Sequence, residues 1–155
     1  EIYTDHPFGT KGHLEFSHQR MLDETADYYV FNGSAGALTL DENALRAEVG
    51  DTVRIYFGVG GPNAISSFHV IGEIFDRVYD QASLTAPPLT DVQTTLVRPG
   101  GATVVEFPRD VPGRYILVDH ALARLERGLV GFLYAEGDEN PEIFKSDGFP
   151  EASGH

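Results

Sequence analysis

Two histidines in the second half of the chain could do chemistry. His69 lies in the run SSFHVIGE at 66–73, and His120 ends the run YILVDH at 115–120. Imidazole exchanges protons near neutral pH and binds metal ions. One histidine cannot hold a metal alone, so the other ligands would have to come from elsewhere. Plainer roles are also open, a hydrogen-bonded core or edge histidine for His69 and a rim histidine for His120.

Size and composition limit the possible functions. The chain has 155 residues, the size of one domain, and contains no cysteine. Disulfides, thiolate-held zinc, iron–sulfur clusters and a blue copper centre are therefore excluded. A net charge of -13 disfavours a nucleic-acid partner, since phosphate contacts need clustered Lys and Arg.

The acid-rich composition also suggests that the protein works in high salt. Apart from Lys11 and Lys145 the basic residues are arginines, and acid-rich, lysine-poor chains are typical of proteins kept soluble in high salt. We treat a halophilic origin as a hypothesis, which loss of secondary structure on dialysis into low salt would support.

The sequence predicts no membrane-spanning segment. No apolar run approaches the roughly 18 residues of a membrane span, so we expect none. The first residues do not form a signal peptide. Because the chain starts at Glu1 and not at Met, we expect a processed chain or one half of a cleaved protein.

The first 27 residues predict an arm or interdomain linker, because they contain Pro, Gly and many charges without a two-residue period. A short helix capped by Ser17 is predicted through Met21 to Ala26. The histidines of the arm are too irregularly spaced for a metal motif and are expected to be solvated; they are His6, His13 and His18.

From Tyr28 the pattern is typical of a β-sandwich. Short runs rich in Val, Ile, Tyr, Phe and Thr alternate with Gly, Pro, Asn and Asp turns. The predicted strands are 28–32, 44–49, 51–59, 65–71, 76–79, 91–97, 102–108, 113–119 and 129–136. A short helix is predicted at 121–127, directly after His120.

These patterns divide the chain into three parts. They are the arm at 1–27, a sandwich domain at 28–137 and an acidic tail at 138–155. The tail has little periodicity, so we expect it to lie on the surface or to wrap a partner.

Both histidine segments resemble the copper motifs of cupredoxins, the Greek-key β-sandwiches of blue copper proteins. The PG-x-Y-x-x-x-Cys motif starts at Pro112, but Asp119 stands in place of cysteine and Leu129 in place of methionine. The multicopper-oxidase pattern H-P-x-H-x-H-G-H becomes SSFHVIGE. The resemblance implies an all-β, cupredoxin-like Greek-key β-sandwich with one short helix after the late strand. A domain of this kind is expected to have no type 1 copper site and to provide side chains to a metal that is bound mostly by a neighbouring domain or chain.

Longer motifs resemble copper-containing nitrite reductase. They are YVFNGSAGALT at 29–39, GDTVRIYFGVGGPN at 50–63, SSFHVIGEIFDRVY at 66–79, VQTTLVRPGG at 92–101 and VPGRYILVDH at 111–120. The match covers about residues 22 to 136 and resembles the second, C-terminal cupredoxin domain of that enzyme with its approach linker. The first domain has no counterpart in this chain.

The resemblance implies roles for five residues in a homotrimer. His120 matches the third ligand of a type 2 copper shared between subunits, whose other two histidines lie in the first domain with the type 1 copper. His69 matches the histidine that relays protons to nitrite, and Thr94 the residue whose hydroxyl orients that imidazole. Ile71 and Leu122 match the apolar residues that crowd nitrite, although ordinary rim packing would explain both.

The implied reaction is reduction of nitrite to nitric oxide. It would require an N-terminal cupredoxin domain or chain carrying type 1 copper, an external electron-donor protein, and a periplasmic or other extracytoplasmic location. Two alternatives stay open. A multicopper oxidase-like domain is disfavoured because Ile71 and Glu73 replace histidines of its trinuclear cluster. The other is a copper-free structural or oligomerisation module.

Overall fold

The computed structural model describes residues 1–145 and 148, which fold into two β-sheets. The five-stranded sheet has the order β1-β8-β7-β3-β5, and the three-stranded sheet has the order β2-β6-β4. The strands are β1 Leu45–Glu48, β2 Thr52–Gly58, β3 Ser66–Ile71, β4 Arg77–Tyr79, β5 Thr95–Val97, β6 Ala102–Pro108, β7 Gly113–Asp119 and β8 Val130–Glu136. The predicted all-β sandwich is confirmed.

Strand β3 is anchored in the core by alternate side chains. Phe68 and Val70 are fully buried, and the Phe68 ring stacks on Phe57 of β2 with centroids 4.2 Å apart. Successive side chains of a strand point to opposite faces, so Ser67, His69 and Ile71 belong to the outer face of the five-stranded sheet. Core packing of the even-numbered residues therefore decides where His69 lies.

The prediction of a strand at 28–32 is wrong. Among the described residues, this segment makes isolated β-bridges and no continuous strand pairing; the bridges join Tyr28 to Ile2 and Phe31 to Ser34. Asn32 has a φ of 48°, in the left-handed region, which a continuous strand cannot contain. The strand predicted at 91–97 begins only at Thr95, because Asp91 also has a left-handed φ, of 58°.

Both predicted helices are shorter than expected. Helix α1 is His18–Leu22, and the hydroxyl of its N-cap Ser17 accepts a hydrogen bond from the Arg20 N–H. It ends before Ala26 because Glu24 has a φ of 55°. The helix predicted at 121–127 is a single 3-10 turn, Leu122–Arg124, which returns the chain to β8 within a few residues.

The N-terminal residues pack against the sandwich. The Ile2 N–H donates to the Tyr28 carbonyl at 2.9 Å, and the Asn63 amide donates to the Tyr3 hydroxyl at 2.9 Å. Of the predicted tail, residues 146, 147 and 149–155 lie outside the described residues. The division at 27 and 137 stays a prediction. Among the described residues, no helix has the length and apolar character needed to cross a membrane.

Candidate functional site

Antiparallel pairing of β3 and β7 brings the two candidate histidines together. His69 is the register partner of Val118, two residues before His120. The His120 N–H donates to the Ser67 carbonyl at 2.8 Å, which continues the pairing past the end of β7. The two imidazole rings lie with their centroids 5.3 Å apart and their planes at 52°. Residues 51 positions apart in the chain thus form one site on the outer face of the sheet.

His69 is buried and its ring is held by the backbone. It is 8% exposed, and its Nδ1 lies 2.5 Å from the carbonyl oxygen of Gln93. A carbonyl can only accept a hydrogen bond, so Nδ1 must carry a proton. In the neutral ring Nε2 is then the nitrogen free to take up a proton. Sequence reasoning missed Gln93, although it stands next to Thr94 in the motif VQTT.

The His120 imidazole makes no hydrogen bond to the described part of the chain. The residue is exposed, and its ring lies close to the ring of His69. Imidazole is a suitable ligand for copper, so the donor fits the metal that the resemblance implies. No group of three or more His, Cys, Asp or Glu side chains able to hold a metal occurs in the described part of the chain. The described residues therefore do not form a complete copper site by themselves.

Within the described residues, none of the other three predicted site residues makes a hydrogen bond to either imidazole. Thr94 is half-buried, and among the described residues its hydroxyl makes no hydrogen bond to His69, whose Nδ1 is taken by Gln93. Ile71 lies two residues beyond His69 on the same face and is 42% exposed, and Leu122 in the 3-10 turn is 49% exposed. The orienting role of Thr94 stays a prediction.

A buried carboxylate stands directly before His120. Asp119 is 1% exposed and accepts hydrogen bonds from the backbone N–H groups of Ala121, at 2.9 Å, and Ser67, at 3.3 Å. Its other oxygen pairs with the guanidinium of Arg124. From sequence Asp119 was noticed only as a replacement for cysteine, and Arg124 was not singled out at all. An acid at a strand end with an arginine five residues later was the available signal.

Sequence comparisons connect this site to known enzymes. A copper-containing nitrite reductase of Neisseria meningitidis is 48% identical over 144 residues, covering 92% of this chain and 36% of that protein. One from Neorhizobium galegae is 36% identical over 126 residues, covering 81% of this chain and 32% of that protein. The chain spans about a third of the length of these curated relatives. No family model matches the chain.

Solved structures agree with the sequence comparisons. A copper nitrite reductase from Nitrosomonas europaea superposes with a TM-score of 0.71 and 30% identity, covering 80% of this chain and 45% of that one. One from Thermus scotoductus gives a TM-score of 0.71 and 32% identity, covering 79% and 28%. A multicopper oxidase, at 22% identity and a TM-score of 0.62, shares the fold. The cupredoxin-like Greek-key sandwich is therefore confirmed.

Proposed function

The chain is homologous to one part of the copper-containing nitrite reductases, and we propose that it serves as the C-terminal half of such an enzyme. In this proposal nitrite is reduced to nitric oxide at a type 2 copper between subunits of a trimer. His120 is one ligand, and His69 relays protons. An N-terminal cupredoxin domain or chain would carry the type 1 copper, receive electrons from an external donor protein and supply the other ligands, outside the cytoplasm.

The observation that carries the proposal is the contrast between the two rings. His120 is exposed and its ring nitrogens have no partner within the described chain, as a ligand awaiting a metal requires. His69, 5.3 Å away, is buried with one nitrogen already committed to Gln93. When bound, copper would supply the electron and an open coordination position for nitrite.

His69 can supply the proton that the reaction needs. Conversion of nitrite to nitric oxide and water consumes one electron and two protons, and breaking the N–O bond without protonating the departing oxygen would leave a costly oxide. The Nε2 of His69 takes up a proton and passes it on. Meanwhile the Nδ1–H keeps its bond to the Gln93 carbonyl, so the ring does not turn. General acid catalysis of this kind contributes about 10² to 10⁴ in rate.

Exposed apolar side chains around the rings support assembly with a partner. Ile71 is 42% exposed, Leu122 is 49% exposed, and Leu96, the register partner of Ser67, is 56% exposed. Exposed apolar side chains beside functional residues are typical of an interaction site. In the assembled enzyme, Ile71 and Leu122 would exclude water and restrict how nitrite lies, while Thr94 would help to orient His69.

Glu73 does not favour the multicopper-oxidase alternative. It occupies a position where that pattern has a histidine, but its carboxylate pairs with the fully buried Arg109. A carboxylate engaged in this way is not available to a copper cluster on the outer face.

Reconstitution with the companion copper domain tests the proposal. We expect the wild-type assembly to bind type 2 copper and to release nitric oxide from nitrite. The His120→Ala assembly should lose type 2 copper and keep the type 1 colour of the partner. Intact type 2 copper in that variant would contradict the assignment. Oxygen consumption without nitric oxide release would favour the oxidase, and an assembly without copper would favour the structural module.

A further inference from the structure

A pocket of about 160 Å³ is lined by residues from the start of β3, the end of β7 and the turn after His120, among them Ser66, Asp119 and Arg124. Three of its lining residues stand where the copper motifs of cupredoxins and multicopper oxidases have metal ligands. Ser66 replaces histidine, Asp119 replaces cysteine and Leu129 replaces methionine. The fold has therefore kept the ligand positions of a blue copper centre around one space after the ligands themselves were substituted.

Asp119 uses this space to hold the backbone on both sides of His120. Its Oδ1 accepts from the N–H of Ala121, directly after His120, and from the N–H of Ser67. The Ser67 carbonyl in turn accepts from the N–H of His120 at 2.8 Å. Burying a carboxylate that is 1% exposed is costly unless it is hydrogen-bonded and paired with a cation.

Arg124 is that partner, and it connects three segments. Its guanidinium pairs with Asp119, and its Nη1 donates to the Ile65 carbonyl at 2.6 Å. The same group lies 4.8 Å from the centroid of the Tyr29 ring, a cation–π contact. Arg124 also ends the 3-10 turn that carries Leu122. The start of β3, the end of β7 and the turn after His120 therefore share one guanidinium.

We propose that the Asp119–Arg124 ion pair, at the wall of this pocket, positions His120 for metal binding. The inference rests on the proposed role of His120 as a ligand. Both are positioning residues, because they act through the backbone of His120. Without the guanidinium, the buried carboxylate would lose its counter-charge and turn toward water, and the Ala121 N–H would lose its acceptor. The His120 imidazole would then be free to leave the ligand geometry.

The test uses the assembled enzyme with its companion copper domain. Arg124→Met keeps an unbranched apolar side chain and removes the guanidinium, and Arg124→Lys keeps the positive charge without the planar guanidinium. Arg127→Met is the matched control, since Arg127 lies on the same loop but donates to the carbonyls of Ala26 and Asp27. Affinity for type 2 copper is measured by chelator competition, and its geometry by electron paramagnetic resonance.

We expect Arg124→Met to weaken type 2 copper binding about 10- to 100-fold, as is usual for residues that orient a metal ligand, and to change the resonance spectrum. Arg124→Lys should recover part of the affinity. Arg127→Met should keep both properties of the wild type, and the type 1 signal should be unchanged throughout.

Wild-type affinity and spectrum in Arg124→Met would overturn the inference. If Arg124→Met fails to fold, the test uses Arg124→Lys and Asp119→Asn, because both keep nearly the same side-chain volume. Wild-type copper binding in both of these variants would also overturn the inference. The His120→Ala assembly separates the two proposals. Type 2 copper retained there contradicts the ligand assignment itself, whereas loss there with unchanged binding in Arg124→Met contradicts only the positioning role.

Discussion

His69 and His120 place their ring centroids 5.3 Å apart, yet one ring is 8% exposed and bound to a carbonyl while the other is open to solvent. Pairing of β3 with β7 creates this proximity, and the difference in burial comes from where each residue stands. His69 lies within a strand that has neighbours on both sides, β7 and β5. His120 lies just past the end of β7. Proximity with unequal burial suits two imidazoles with different tasks at one centre.

Replacing His69 should separate metal binding from turnover. We expect His69→Ala in the assembled enzyme to keep type 2 copper, to lose about 10² to 10⁴ in turnover and to show an altered pH profile, because the proton donor is removed and the ligand stays. Copper content and steady-state nitrite reduction across pH measure both effects. Thr94→Val is the companion variant, and a smaller loss is expected because the Gln93 carbonyl still holds the ring. Wild-type turnover in His69→Ala would remove the relay role.

The buried ion pair Glu73–Arg109 should contribute strongly to stability. Arg109 is 0% exposed and lies between the rings of Phe107 and Tyr115, with its guanidinium carbon 4.7 and 4.2 Å from their centroids. Glu73→Gln leaves this buried charge without a counter-charge, so the free energy of unfolding should fall by about 3 kcal/mol. Urea unfolding of the purified chain measures the change.

An exposed pair provides the control for that experiment. The Arg46–Glu136 salt bridge has side chains that are 45% and 62% exposed, so Glu136→Gln should lower the free energy of unfolding far less than Glu73→Gln does. The double variant with Glu73→Gln and Arg109→Met should be less destabilised than the sum of the two single variants, because no buried charge is left. If Glu73→Gln lowers the free energy of unfolding as little as Glu136→Gln does, the buried pair contributes no more to stability than the exposed pair.

The arm should make folding stability sensitive to alkaline pH. Burial raises the pKa of Tyr3 to about 12, from an ordinary value of about 10 in the unfolded chain. Between these values the unfolded chain releases the phenol proton and the folded chain retains it, so stability falls as pH rises from about 10 through about 12. Below pH 10 the contribution is fully present.

Tyr3→Phe isolates this effect. Burial also raises the pKa of Tyr115, with the same sign, so the comparison of variant and wild type is needed. Urea unfolding between pH 8 and pH 11.5, with phenolate absorbance followed in the folded state, should show a shallower alkaline loss in Tyr3→Phe. An equal loss in both proteins would mean that Tyr3 titrates at its ordinary pKa when folded.

Local sequence patterns determined the class of fold and most of its strands. Strands β6 and β7 begin and end where the sequence predicts, because alternating β-branched and aromatic residues bounded by Pro and Gly are a local signal. The prediction of a strand at 28–32 failed because Val, Tyr and Phe favour strands, whereas the left-handed φ of Asn32 interrupts the extended conformation. Likewise, good helix formers at 121–127 did not outweigh the short return to β8.

The sequence by itself determined the sandwich, the exclusion of a blue copper centre, and the two histidines with the motifs around them. Only the tertiary structure decided that these histidines lie close together, that the Gln93 carbonyl holds His69, and that Arg124 pairs with Asp119 at the wall of a pocket. The physical reason is the distance along the chain over which each kind of interaction acts. Periodicity and turn residues act over a few neighbours, whereas these contacts depend on strand register and on core packing between segments distant in the chain.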